Sequence, residues 1–182
     1  MPHIFAYILD PSEEKAKILH QLSRDLNMPI KVFGDVAKKS VSNSILDWDF
    51  SVELSVSNET WVRAFRDASF VITDSFHGTC FAILFEKQFF SIVNRYRGTS
   101  RFSSLLSQVG LEGRMIDSLS DYQQLKHEQI IYLDIAETVR EKIAQSKKWL
   151  LTAINLEKRP VISTYDLLDS RLSATENVLQ IF

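Results

Sequence analysis

His77 stands where a predicted strand gives way to a predicted helix, and this position suits it for chemistry. The apolar, β-branched run at residues 70–74 is typical of a short buried strand. The segment Cys80–Phe85 is apolar on nearly every side and long enough for a buried helix. In an open α/β sheet, such a turn lies at the carboxyl ends of the strands, where ligands bind. The sequence therefore predicts a site at residues 75–79.

The start of this predicted helix has the features of an anion site. Free backbone N–H groups are expected on Gly78, Thr79 and Cys80, and they would point out of the helix toward a negative group. His77 adds a side chain that can donate a hydrogen bond or a proton. A glycine in the first turn costs about 1 kcal/mol of helix stability, which favours a need for close approach of a ligand at Gly78.

Structural interpretations of the same residues stay open. Thr73, Asp74 or Ser75 could serve only as the helix cap, a common role for these residue types. His77 could be a hydrogen-bonding residue of the core. Asp74 has a further interpretation, in which it orients His77 or acts as a base.

An arginine cluster follows the next predicted strand, Phe89–Val93. Arg95, Arg97 and Arg101 would lie near His77 if the two strands are neighbours, and guanidinium groups bind phosphate and carboxylate in a bidentate way. Asn94 ends the strand and is a candidate to bind a sugar or phosphate oxygen. The alternative is a solvated loop whose arginines pair with surface carboxylates.

Two blocks of sequence resemble the polysaccharide pyruvyl transferase family. The first is Asp67–Thr79, which contains the His77 turn. The second is Arg97–Phe102 with the leucines at 105 and 106, followed by Gly110–Glu112 and Arg114. The order and spacing of the blocks agree with that family, and the resemblance spans roughly residues 3–150.

The resemblance implies transfer of the pyruvyl group from phosphoenolpyruvate to two hydroxyls of a sugar or glycan-lipid, which makes a cyclic ketal. His77 is then the catalytic residue. The implied substrate-binding residues are Asp74, Ser75, Gly78, Thr79, Asn94, Arg97 and Arg101. The scheme requires no metal and no cofactor, because phosphoenolpyruvate is itself the donor substrate.

Two other classes of function remain open. In the donor-binding half of a GT-B glycosyltransferase, the same turn would hold the diphosphate of a nucleotide-sugar. In a non-catalytic interaction domain, the C-terminal helices would dock a partner and neither small molecule would bind. The joint presence of the His77 turn and the Arg97–Phe102 block favours the pyruvyl transferase.

The composition is that of an ordinary globular chain. It has 182 residues, 45% hydrophobic and 24% charged, with a net charge of −2 that gives no pull toward nucleic acid. The single cysteine, Cys80, excludes an intrachain disulfide and a cysteine-rich metal site. No segment approaches the length of a membrane span, and no signal peptide is recognisable, so we expect a cytoplasmic protein.

Alternating strand and helix patterns predict an α/β, Rossmann-like, mainly parallel sheet of five or six strands with helices on both faces. The predicted strands are 3–9, 30–33, 51–56, 70–74, 89–93 and 115–116. The predicted helices are 12–26, 58–67, one following residue 78, 101–109, and 135–154 with Asp134 as its cap. Residues 38–44 are predicted as a polar loop.

The domain organisation follows from the break at Lys158–Pro160 and from the resemblance. We expect a Rossmann-like domain at 1–154 and a C-terminal helical extension at 155–182. The domain resembles the C-terminal half of a two-domain enzyme, so an N-terminal domain or a second copy of the chain is expected as a partner, and the chain alone could be an inactive fragment. Apolar residues of a second amphipathic stretch, at about 164–179, would favour self-association.

Overall fold

The computed structural model describes residues 1–34, 50 and 52–155. Contacts divide the chain into the units Met1–Thr138 and Val139–Phe182. The predictions for the loop at 38–44, the domain boundary at 154 and the amphipathic stretch at 164–179 fall wholly or partly outside the described residues, and they stay predictions. No helix in the described ranges is long and apolar enough to cross a membrane.

The described strands form one parallel sheet of six strands. Their spatial order is β3-β2-β1-β4-β5-β6. They are β1 Ile4–Ile8, β2 Ile30–Gly34, β3 Val52–Glu53, β4 Phe70–Thr73, β5 Gln88–Ile92 and β6 Met115–Ile116. This order is that of a Rossmann fold, and it confirms the predicted fold class.

The helices alternate with the strands along the chain. They are α1 Glu13–Leu26, α2 Asn58–Asp67, α3 Phe76–Leu84, α4 Ser100–Gln108, α5 Leu119–Leu125 and α6 Tyr132–Asn155, with short 3-10 turns at Arg95–Arg97 and Glu112–Arg114. Strand order reverses between β1 and β4, which run in parallel with Tyr7 opposite Thr73. In such folds, the crevice at this reversal is the usual place for a ligand.

One face of the sheet is covered by aliphatic packing. Side chains alternate along a strand, so Ile4, Ala6 and Ile8 of β1 point to the same side. There they join a buried cluster that includes Ile18 and Leu22 of α1. Periodic apolar residues on α1 thus match the alternate residues of the central strand.

The opposite face is covered by aromatic packing. Phe5 of β1 contacts Phe65 of α2 edge-to-face, with ring centroids 4.7 Å apart. Tyr7 packs on Trp61 of α2 at 5.3 Å, and Trp61 in turn meets Phe81 of α3 at 4.9 Å. Helices therefore lie on both faces of the sheet, as predicted.

Two predictions about helices need correction. The last helix begins at Tyr132, so Asp134 lies in its first turn, where its charge suits the helix dipole, and it is not the cap. The helix α5 was missed, although its capping box, formed by Ser118 and Asp121, is a recognisable sequence signal. Of the strand predicted at 51–56, the described residues 52–56 contain only the two-residue β3.

Candidate functional site

A buried carboxylate closes the gap between the carboxyl ends of β1 and β4. Asp74 directly follows β4 and is 0% exposed. Its Oδ1 accepts from the backbone N–H of Leu9 at 2.6 Å, and its Oδ2 accepts from the N–H of Asp10 at 2.9 Å. These bonds tie the loop that follows β1 to the end of β4.

The charge of this carboxylate is balanced by a buried lysine. Lys15 of α1 is 8% exposed, and its Nζ lies 2.6 Å from Asp74 Oδ2. The same Nζ donates to the backbone oxygen of Asp10 at 2.6 Å. A buried ion pair is tolerated when further hydrogen bonds satisfy both groups, and that condition is met here.

The end of β5 joins the same network through an amide. Asn94 is 2% exposed, and its Nδ2 donates to Asp10 Oδ2 at 2.6 Å and to Asp74 Oδ2 at 3.2 Å. Its buried Oδ1 has no hydrogen-bond partner among the described residues. The carboxylates require the amide nitrogen on their side, so they set the orientation of Asn94.

An arginine lies at the solvent side of this network. Arg97 Nε donates to Asp10 Oδ2 at 2.6 Å, and the two side chains are 37% and 12% exposed. The pair links the turn after β5 to the loop after β1. Arg97 therefore lies beside the carboxyl ends of β1 and β4, where the strand order reverses, as its sequence position after β5 suggested.

The start of α3 differs from the sequence prediction in which donors are free. The N–H of Gly78 donates to the capping Ser75 Oγ at 3.4 Å, and the N–H of Thr79 donates to the Ser75 carbonyl at 3.0 Å. The donors without a hydrogen bond in the described structure are the N–H groups of Phe76 and His77. The N–H groups left without a hydrogen bond at this helix start are thus those of Phe76 and His77, and not those of Gly78 and Thr79 as predicted.

His77 lies on the surface at this helix start. Its side chain is exposed, and within residues 1–34, 50 and 52–155 it makes no hydrogen bond or ion pair. Its ring lies 5.8 Å from the ring of Phe76. The interpretation of His77 as a hydrogen-bonding residue of the core does not fit this position.

Gly78 and Thr79 have structural explanations. A Cβ on Gly78 would lie 2.4 Å from Thr73 Oγ1, so the glycine lets α3 begin directly against the end of β4. Thr79 is 0% exposed, and its hydroxyl lies 2.7 Å from Ser91 Oγ of β5. Both residues are therefore placed to fix the helix start, and close packing against Thr73 is sufficient to explain a glycine at position 78.

The predicted arginine cluster divides in two. The Arg101 guanidinium lies over the Phe76 ring at 5.2 Å, and its Nη2 donates to the carbonyl of Arg97 at 3.1 Å. Arg95 instead pairs with Asp117, which follows β6. Arg97, Arg101 and the exposed His77 thus form a cationic rim, which we define as these three residues.

The predicted site residues fall into two groups. The rim is accessible to solvent, whereas the other five are buried: Asp74, Ser75, Gly78, Thr79 and Asn94. Asp74 neither caps α3, since Ser75 does so, nor contacts His77 among the described hydrogen bonds. No cluster of three or more His, Cys, Asp or Glu suited to a metal occurs in the described part of the chain.

Two residues of the network were missed from the sequence. Asp10 stands just after β1, and Lys15 lies one turn into α1. The available signal was an acidic residue at the end of a strand, but the neighbour of β1 in the sheet was not known. Only the β1–β4 pairing shows that Asp10 and Asp74 share one edge.

A comparison with protein families matches the part of the chain that contains the His77 turn. A family model described as polysaccharide pyruvyl transferase matches residues 4–96, just over half of the chain. The chain belongs to the polysaccharide pyruvyl transferase family. The matched segment runs from β1 through the His77 turn to the residues just before Arg97, so Arg97 and Arg101 follow its end.

A solved structure supports the fold independently. The chain is similar to a mutant O-GlcNAc transferase of Thermobaculum terrenum, with a TM-score of 0.51 and 10% sequence identity. The similarity covers 76% of this chain and 31% of that one, so the chain spans under a third of its neighbour's length. A comparison with curated proteins gave no match.

Proposed function

We propose that this chain is the donor-binding domain of an enzyme that transfers pyruvyl from phosphoenolpyruvate to a pair of sugar hydroxyls. The observation that carries the proposal is the exposed His77 at the carboxyl edge of the sheet, inside the segment that matches the family. The acceptor is a sugar or glycan-lipid. Because the chain spans a small part of its structural neighbour, acceptor binding is assigned to a further domain or a second copy.

The cationic rim suits the two charges of phosphoenolpyruvate. Guanidinium groups bind phosphate and carboxylate through paired N–H donors, and Arg97 and Arg101 carry such groups after β5. The unbonded N–H groups of Phe76 and His77 add positive potential at the start of α3. The donor phosphate therefore lies at this helix start, with the arginines beside it.

The proposed reaction needs one proton donor at carbon. The bond from C2 of phosphoenolpyruvate to the phosphate oxygen breaks, the C2–C3 double bond becomes a single bond as C3 takes up a proton, and two bonds form from C2 to sugar oxygens. Of the two hydroxyl protons released, one balances the proton that C3 gains to become a methyl group, and the other leaves with phosphate. His77 supplies the proton to C3, because its exposed side chain is of a type that can donate a proton in catalysis.

Replacement of His77 tests this assignment. In the full-length protein that carries this chain, His77→Ala should lower the rate of ketal formation by about 10²- to 10⁴-fold, the usual contribution of a general acid. The melting temperature should stay near that of the wild type, because the side chain is exposed. His127→Ala is the matched control, since His127 is also exposed and is not part of the rim. Unchanged activity in His77→Ala would exclude the catalytic role.

Ligand protection separates the alternatives. A nucleotide-sugar that raises the melting temperature where phosphoenolpyruvate does not would favour a glycosyltransferase. An unchanged melting temperature with either molecule would favour a non-catalytic interaction domain.

We also propose a cytoplasmic location, which is compatible with a single cysteine and no disulfide.

A further inference from the structure

The buried Asp74 receives more hydrogen bonds than a helix cap or a ligand contact would explain. Its two oxygens accept from four donors: the N–H groups of Leu9 and Asp10, Lys15 Nζ and Asn94 Nδ2. These donors come from the loop after β1, from α1 and from the turn after β5. The carboxylate is 0% exposed, so it cannot touch a ligand in this arrangement.

We propose that Asp74, neutralised by Lys15, is a positioning residue that sets the place of the Arg97 guanidinium. What Arg97 binds rests on the proposed function, whereas the network itself is seen directly. Asp74 holds the backbone of Asp10, and the Asp10 carboxylate holds Arg97 at 2.6 Å. Asn94 bridges the two carboxylates and so fixes the turn from which Arg97 emerges.

The unpaired oxygen of Asn94 supports this direction of cause. A buried amide oxygen without a hydrogen-bond donor is energetically unfavourable. The hydrogen bonding of this oxygen therefore does not explain the orientation of the Asn94 amide. The alternative flip would place that oxygen against two carboxylates. The two carboxylates therefore determine the orientation of the Asn94 amide, and the unpaired amide oxygen is the energetic cost of that orientation.

Asp74→Asn is the sharpest substitution, because it keeps the size of the side chain. It removes the charge that Lys15 needs, and one of its two polar atoms becomes an NH2 group, which cannot accept the donors that point at it. Arg97 should then lose its fixed place. If Arg97 binds the donor alike in the ground and transition states, KM for phosphoenolpyruvate rises about tenfold or more with little change in kcat.

A second readout is independent of activity. In a nuclear magnetic resonance spectrum of the wild type, the Arg97 Nε–H should be protected from exchange by its bond to Asp10, and the Asn94 amide should give a distinct pair of signals. In Asp74→Asn both should move or broaden. Asp67→Asn is the control, because Asp67 forms an exposed pair with Arg66 and should leave both signals unchanged.

The outcomes separate the positioning role from the proposed function. If a folded Asp74→Asn protein keeps the wild-type Arg97 and Asn94 signals, the positioning role is overturned. If the signals move without a change in KM, the positioning role stands and Arg97 is excluded from donor binding. If the wild type binds no phosphoenolpyruvate but the signals respond, the proposed function fails and the network role stands. Should Asp74→Asn not fold, Asp74→Glu replaces it, since it keeps the charge and moves the carboxylate by one methylene; the same signals and KM then decide.

Discussion

A cation is buried at each of two edges of the sheet, the carboxyl ends and the amino ends of the strands. The two cations have different contacts. At the carboxyl edge, Lys15 is 8% exposed and is held by Asp74 and the carbonyl of Asp10. At the amino edge, just before β6, Arg114 is 5% exposed and lies over the Phe90 ring at 5.4 Å. Among the described residues, its guanidinium donates no hydrogen bond and forms no ion pair.

The comparison shows at which edge the buried charges of the described residues are paired. Burial lowers the pKa of the Arg114 guanidinium, and the electrostatic effects of Glu128 and Tyr132 offset this only in part. A cavity of about 300 Å³ adjoins Arg114. At the carboxyl edge, by contrast, the charges are paired inside the fold and the cationic rim lies outside them. We therefore expect substitutions to cost far more at the carboxyl edge.

The largest effect is expected from Lys15→Met. It leaves the Asp74 carboxylate buried without its counter-charge, and loss of one partner of a buried pair costs about 3–5 kcal/mol of unfolding free energy. Urea denaturation measures the loss. Lys17→Met is the control, because Lys17 forms only an exposed pair with Glu14 at 3.9 Å. Equal losses in the two variants would remove the distinction between the paired cation and an ordinary surface lysine.

A smaller effect is expected from Gly78→Ala. The added Cβ would lie 2.4 Å from Thr73 Oγ1, and such overpacking costs about 1–3 kcal/mol. Gly113→Ala at the amino edge is the control, since the nearest atom to its Cβ is Glu128 Oε2 at 3.5 Å. If thermal unfolding shows no difference between the two glycine variants, the packing account of Gly78 is wrong.

The smallest effect is expected from Arg114→Met. It removes a buried charge that has no paired carboxylate, and the methionine can still pack on Phe90 through its sulfur. The unfolding free energy should change by less than about 1 kcal/mol, because relief of desolvation offsets the lost cation–π contact. A loss as large as that of Lys15→Met in the same urea experiment would contradict the comparison.

The sequence was sufficient for the fold because the local signals were strong. Ser12 and Ser57 cap α1 and α2, and β4 and β5 end within a residue of their predicted ends. The apolar runs between such caps suffice to assign α/β alternation. The short helix α5 is not predicted from the sequence, because its seven residues span only about two turns and so give a weak periodic signal.

The site was predicted only in part, because its geometry depends on which strands are neighbours. His77 and Arg97 could be found from local pattern and resemblance. The roles of Asp10, Lys15 and Asp74 depend on the pairing of β1 with β4, which are more than sixty residues apart in sequence. Nor does sequence show that a Cβ at Gly78 would meet Thr73. Long-range packing decided these points.

Calorimetric titration with phosphoenolpyruvate tests the central claim, that the cationic rim at the carboxyl edge is a donor site. We predict saturable binding to the full-length protein, competition by inorganic phosphate, and an affinity about 10- to 100-fold weaker in Arg97→Ala, the usual range for a charge-assisted hydrogen bond. His127→Ala should bind as the wild type does. Absence of binding to the folded wild type, or equal affinity in Arg97→Ala, would contradict the claim.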